Sequence, residues 1–399
     1  QFLLCPQLIK TMDSTAITNI ADRIRAAAAD RTTLSIRGGN TKAFYGEAAH
    51  GEPLETAALA GVISYEPSEL VVTVGAGTPL AELEALLAGQ GQCLPFEPPR
   101  FAAGGTRVEP LGERVLDGGS AAGSAATVGG MIAAGLSGPA RASVGAVRDY
   151  LLGLTLVNGR GEVLVFGGQV MKNVAGYDVS RVLAGSMGAL GLVAQASLKV
   201  LPVAPAEATL DFACSQADAL RLLNEWGGRP LPLNASVWRL RDGVGVLSLR
   251  LRGAVAAVEA ACAQLGGERQ DAERAAAGWQ SLRDQQHPWF SAGAGALWRL
   301  SVPQTAAVLD LDGAPLVEWH GGQRWVHASP GESQRVRAAA RAAGGHATLF
   351  RPAPGARHEA RFDALSAPIE RIHRALMNEF DPDAVFDRGR LLPARTTSH

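Results

Sequence analysis

The chain has 399 residues, 47% of them hydrophobic and 19% charged, and its formal net charge is −1. This is a globular composition with room for two domains, and it excludes a disordered chain. Lys and Arg are dispersed rather than clustered, which excludes a nucleic-acid surface and a polybasic membrane patch.

The first residues, Gln1 to Met12, carry an apolar run too short for a signal-peptide core and without a basic lead. Met12-Asp13 reads as the more natural start, so residues 1–12 are set aside as an N-terminal extension. A helix is predicted from Ala16 to Ala29, then a β-like run from Thr32 to Ile36 and a Gly38-Gly39 turn. Leu70 to Val74 reads as a strand that ends in Gly75-Ala76-Gly77. Thr78-Pro79-Leu80 is expected to open a helix, with Thr78 as N-cap and Pro79 at the first helical position. Leu80, Leu83, Leu86 and Leu87 then share a face, and Gly89 stops the helix.

The uncharged stretch from Gly118 to Ala140 is too rich in Gly and Ser for a membrane span, and reads as buried loop and short helix. Leu151 to Val157 and Val163 to Phe166 read as strands joined by the hairpin signal Asn158-Gly159. Another strand is expected from Gly191 to Val200, and Pro202 and Pro205 mark a domain boundary. Beyond it, strand-like runs alternate with Ala-rich helices, as in an α+β domain with helices on one face of an antiparallel sheet. The turn-rich stretch from Phe380 to Leu391 reads as a returning tail. The domains are therefore placed at 13–204, 205–378 and 379–399. Cysteines at 5, 93, 214 and 262 form no Cys-x-x-Cys pair and read as small buried residues of a reducing compartment.

Four glycine-rich elements crowd the first domain. They are Ser35 to Lys42, Thr127 to Gly135, Lys172 to Asp178 and Gly185 to Val193. Alone, Gly38-Gly39-Asn40 is an ordinary turn; glycine also permits φ > 0 and close approach, and consecutive N–H groups form an anion-binding nest. Four such elements together suit a long ligand lying against backbone. There is no Walker sequence, and Gly185 to Gly191 lacks the spacing and the later acidic residue of a Rossmann fingerprint.

In order, Arg37-Gly38-Gly39-Asn40-Thr41, Thr127-Val128-Gly129-Gly130, Val147-Arg148-Asp149 and Gly188-Ala189-Leu190-Gly191 resemble the FAD-binding domain of the vanillyl-alcohol-oxidase (PCMH-type) superfamily. The run from Val170 to Val193, the segment Trp319 to Trp325 and the tail narrow this to the E-type FAD-binding subunits of glycolate oxidase complexes. The resemblance implies an α+β protein: a PCMH-type FAD-binding domain, a smaller α+β cap domain, and a tail returning to the flavin domain. It implies that Arg37, Gly38, Gly39, Asn40 and Thr41 wrap the FAD pyrophosphate. Gly75, Gly77, Pro95, Thr127, Gly129, Gly130 and Ala134 would line the cofactor trench, and Gly188, Gly191, Leu192 and Val193 would hold the adenine end. Members with covalent flavin often place His where Asn40 stands, so non-covalent FAD is expected; no cysteine near the motif offers another link, and Cys93 is the one alternative left open.

The implied partners are a paralogous catalytic FAD subunit and an iron–sulfur subunit, with a small 2-hydroxy acid as substrate at the level of the complex. The implied location is cytoplasmic, or peripheral at the inner membrane face through those partners. Catalytic relatives carry a Gly-Asp-Gly-Asn-x-His element that helps hold a divalent metal. Here the nearest run, Gly344 to Arg351, lacks the Asp and the paired His. No metal site and no catalytic residue are therefore assigned; His320, His327 and His346 read as structural or surface histidines, and Arg351 as a candidate carboxylate partner. Asp387, standing where relatives carry Asn, would put a carboxylate near the flavin ring. These features favour an accessory flavin subunit over a stand-alone dehydrogenase or a scaffold with structural FAD.

Overall fold

A computed structural model describes residues 14–101, 125–168, 178–329, 331–356 and 359–392. The third glycine-rich element, up to Tyr177, lies outside the described residues, as do residues 1–13 and His358.

The first domain is built on a five-stranded antiparallel sheet. Its order is Val62–Glu66, Val71–Gly75, Leu192–Lys199, Leu151–Val157 and Val163–Gly167. Such a sheet must bury both faces here, because its central strands carry apolar residues at nearly every position. One face packs on the helices Leu80–Ala88 and Val128–Ala134 through Val72, Val74, Leu83, Leu87, Met131 and Ile132. The other packs on the helix Ser14–Asp30 through Ile20, Ile24, Val157, Leu192 and Ala194. A parallel pair, Leu34–Arg37 with Glu52–Glu55, sits beside this second layer.

Two local expectations are corrected. The helix begins at Leu80 with Pro79 at its cap and no side-chain cap bond. Thr78 instead turns its hydroxyl to the Gly61 N–H, 2.9 Å away, and so ties two strand ends rather than a helix end. Nor is Asn158-Gly159 a two-residue hairpin turn. The loop runs to Glu162 because the Asn158 side-chain oxygen accepts from the N–H groups of Arg160 and Glu162 at 3.0 and 2.9 Å. Asn acts here as an Asx turn, and the positive φ falls at Gly161, +68°.

The second domain is an eight-stranded antiparallel sheet. Helices Gln216–Gly227, Val255–Leu265 and Ser333–Ala342 cover one face. The expectation of helices on one face alone fails for Ala272–Arg283. Its Trp279 and Leu282 pack on the opposite face with Ala235, Val237 and Leu297, beside Tyr45, Phe101 and Leu136 of the first domain. That second face is the junction between the domains, and it is apolar because the first domain covers it. Cys93, Cys214 and Cys262 are free thiols that are half-buried rather than buried.

After the helix Ala367–Phe380 the chain crosses back to the first domain. Leu34 N–H donates to the Val385 carbonyl at 2.7 Å, and Asp387 N–H donates to the Leu34 carbonyl at 3.1 Å. Val385 and Phe386 are buried with Ile20 and Ile24. Asp381, 0% exposed, holds the bend. Its carboxylate accepts from Val385 N–H, Phe386 N–H and the Arg388 Nε at 2.9, 3.0 and 3.2 Å.

Candidate cofactor-binding site

Between the strand Leu34–Arg37 and the helix Val128–Ala134 runs a trench of two adjoining chambers, of about 570 and 470 Å³. Ile36, Gly38, Gly130, Ala133 and Met187 border both. The trench brings together Arg37, Gly38, Gly39, Asn40, Thr41, Thr127, Gly130 and Ala134 in the first chamber. Gly129, Gly188, Gly191 and Val193 join them in the second. Four expected residues do not line it. Gly75 and Gly77 back onto the carbonyls of Leu59 and Thr56, Pro95 is buried in the loop between Leu94 and Phe96, and Leu192 turns into the opposite core.

The glycine cradle works differently from the nest expected of it. Neither Gly38 nor Gly39 has positive φ; Asn40 does, at +55°. What demands glycine is proximity. A Cβ on Gly39 would collide with the Ala125 carbonyl, and one on Gly38 with the Thr127 hydroxyl. Thr127 caps its helix by accepting from Gly130 N–H at 3.2 Å, so Gly38, Thr127 and Gly130 interlock. At the far end Met187 and Gly188 take φ of +52° and +81°.

The two chambers differ in charge. The first is lined by Arg37, Lys42 and Arg390 and by no carboxylate among the described residues. Burial pushes the Lys42 ammonium down to about 8, with the Asp284 carboxylate opposing. Arg390 comes from the tail and donates to the Tyr45 carbonyl at 2.6 Å. Its Nε is buried without a hydrogen-bond partner, and burial lowers its pKa, with the Asp387 carboxylate opposing and Arg37 adding to the fall. Cations held largely out of water and close to one another are costly, and an anionic ligand lowers that cost. The second chamber holds no charged residue among the described residues and is walled by Ile36, Met187 and small Ala, Gly, Thr, Ser and Val residues, which suits a flat, neutral ring system. A dianionic linker between two ring systems, as in FAD, matches this sequence of environments. Lys42, Tyr45, Met187 and Arg390 were missed from sequence; Lys42 adjoins the motif, whereas Arg390 reaches the trench only through the tail.

The residues weighed for catalysis lie elsewhere. Asp387 turns from the trench and accepts from His50 N–H at 2.6 Å, so it puts no carboxylate at the expected place. Arg351 stacks over Phe44, 4.7 Å from the ring centroid, and burial lowers it to about 10. His327 faces the Trp289 carbonyl, and His346 is exposed at a strand end. His320 is wedged between the Ser143 and Ser236 hydroxyls, at 2.9 and 3.0 Å, and burial pushes it down to about 4. Among the described residues no group of three or more His, Cys, Asp or Glu has the arrangement of a metal site.

The family described as FAD binding domain matches residues 14–108 and 102–167, which contain the cradle and most of the first chamber. Fold and site thus define an FAD-dependent flavoprotein of PCMH type. The chain is 41% identical over 372 residues to glycolate oxidase subunit GlcE of Escherichia coli (strain K12), covering 93% of this chain and 96% of that subunit. It therefore belongs to the family of glycolate oxidase subunit GlcE. Over 84 residues, 21% of this chain and 18% of the relative, it is 39% identical to glycolate oxidase subunit GlcD of Bacillus subtilis (strain 168). A solved structure of alkyldihydroxyacetonephosphate synthase shares the fold, with a TM-score of 0.58 at 13% identity, over 92% of this chain and 73% of that one.

Proposed function

We propose that this chain binds one FAD non-covalently along the trench and serves as an accessory flavin subunit of a glycolate-oxidising complex. The observation that carries the reading is the change of environment along the trench: three cations and a glycine cradle, then a neutral slot walled by Ile36, Met187 and small residues. The cradle's N–H groups, Lys42 and Arg390 hold the diphosphate, and the second chamber takes the adenine. Bound there, FAD supplies two-electron acceptance and transfer. Asn40, unlike His, cannot bond the flavin covalently, and Cys93 does not line the trench. The partners are a GlcD-type flavin subunit and an iron–sulfur subunit, at which electrons leave the complex. No helix among the described residues is long and apolar enough to cross a membrane. We place the chain in the cytoplasm or, through its partners, at the membrane's inner face.

Anaerobic mixing of the FAD-loaded chain with excess glycolate tests the accessory role. Without a positioned base and metal, oxidation is slowed by about 10²- to 10⁴-fold or more. The flavin band should therefore bleach only when the partners are added. Rapid bleaching of the isolated chain would make it a dehydrogenase in its own right.

A further inference from the structure

Lysine is scarce in this chain. Of 37 basic side chains only four are lysines, at positions 10, 42, 172 and 199, and the rest are arginines. One of the four, Lys42, lines the first trench chamber together with Arg37 and Arg390. For holding a diphosphate alone an arginine serves at least as well, since its fork binds oxyanions bidentately and keeps its charge. A lysine can in addition present a neutral, nucleophilic amine. The surroundings of Lys42 favour that form. Its Nζ lies 5.6 Å from the Phe101 ring centroid and donates to the Thr41 hydroxyl at 3.5 Å. Arg37, Lys42 and Arg390 form no ion pair among the described residues, so three cations share the chamber without a carboxylate. With burial holding Lys42 at about 8, about half of its amine is neutral at pH 8, against less than about one part in a hundred for a free lysine. An uncharged amine and two guanidinium groups thus border one space of about 570 Å³.

We propose that, before FAD is loaded, Lys42 is a covalent binding site for a small aldehyde that carries a carboxylate, such as glyoxylate, the oxo acid that oxidation of glycolate yields. Arg37 and Arg390 take the carboxylate, and the Lys42 Nζ attacks the aldehyde carbon. The C–N bond forms from the nitrogen lone pair as the C=O bond breaks. Both amine protons leave with the carbonyl oxygen as one water, and an imine remains. No oxidant or reductant is consumed, and hydrolysis reverses the step. The adduct fills the place of the diphosphate and removes one of its cations, so it opposes FAD uptake. That last consequence rests on the flavin reading above; the imine itself does not.

The test is reductive trapping. The full chain, flavin-stripped and FAD-loaded, is incubated with glyoxylate and cyanoborohydride, and carboxymethyl-lysine is mapped by peptide mass spectrometry. The internal standard is Lys199, at the end of the strand Leu192–Lys199. In the stripped chain Lys42 should be labelled at least about tenfold faster than Lys199, through its larger neutral fraction, and FAD uptake should fall in proportion to the labelling. The rate at Lys42 should level off above about pH 8. Propionaldehyde lacks the carboxylate. Measured against Lys199, glyoxylate should prefer Lys42 about 10- to 100-fold more than propionaldehyde does, the weight of a charged hydrogen bond. Labelling of Lys42 no faster than of Lys199, or the same preference with both aldehydes, would overturn the proposal. If the FAD-loaded chain is labelled as fast as the stripped one, the imine stands, and it is the placement of the diphosphate beside Lys42 that fails.

Discussion

Gly38 and Gly39 are adjacent but meet different obstacles, and this ranks their substitutions. A Cβ on Gly39 meets the Ala125 backbone, which has no rotamer to change. A Cβ on Gly38 meets the Thr127 hydroxyl, which can swing away and lose its cap on Gly130, at about 1 kcal/mol. Gly39→Ala should therefore abolish flavin retention, while Gly38→Ala should weaken it by roughly tenfold; FAD titration of the two apo-variants measures both. Reversed ranking would mean that ligand contact, not backbone proximity, dictates glycine there. Lys42 gives a pH signature. Its folded value, about 8, lies below the unfolded value of about 10.4, so between them the unfolded chain holds more protons and apo stability rises with pH. A bound diphosphate restores the charge. FAD binding above about pH 8 should thus take up a proton and weaken as pH rises, and Lys42→Arg should remove that slope. Calorimetry in buffers of different ionisation enthalpy reads the uptake directly.

Among the elements, the tail depends on one buried carboxylate. Asp381 gathers two backbone donors and Arg388, and Gly159 is glycine because a Cβ there would strike Asp381. Replacing it by Ala leaves buried donors unmet, at a cost of about 3 kcal/mol. Asp381→Ala should lower the melting temperature and raise hydrogen exchange at residues 385–391, and it should weaken FAD through displaced Arg390. Unchanged exchange there would show the tail to be held otherwise. Much of this layer was legible in sequence. The strand at Val71–Gly75, the helix at Leu80–Ala88 and the first cradle follow from β-branched runs, leucine spacing and paired glycines. What was not legible depends on contacts distant in the chain. Thr78 looks like a cap until Gly61 is beside it, and Gly75 and Gly77 look like ligand contacts until Leu59 and Thr56 fill the space behind them. Arg390 acquires meaning only when the tail crosses to Tyr45.

Across the whole molecule, the first domain supplies the trench proposed to hold FAD, and a second cavity lies where the second domain packs on the first. The aromatic junction of Phe44, Tyr45, Phe101, Trp325 and Phe350 joins the domains and separates the two spaces. The chain belongs to the family of glycolate oxidase subunit GlcE, and the trench is the feature on which the proposed flavin role rests. The central claim is non-covalent FAD in this trench. It is tested most directly by acid precipitation of the purified wild-type chain, followed by flavin quantification in supernatant and pellet. About one equivalent of FAD per chain should appear in the supernatant, as expected of a single pre-formed cofactor site. A folded chain that takes up no FAD, or flavin that stays in the pellet, would contradict it.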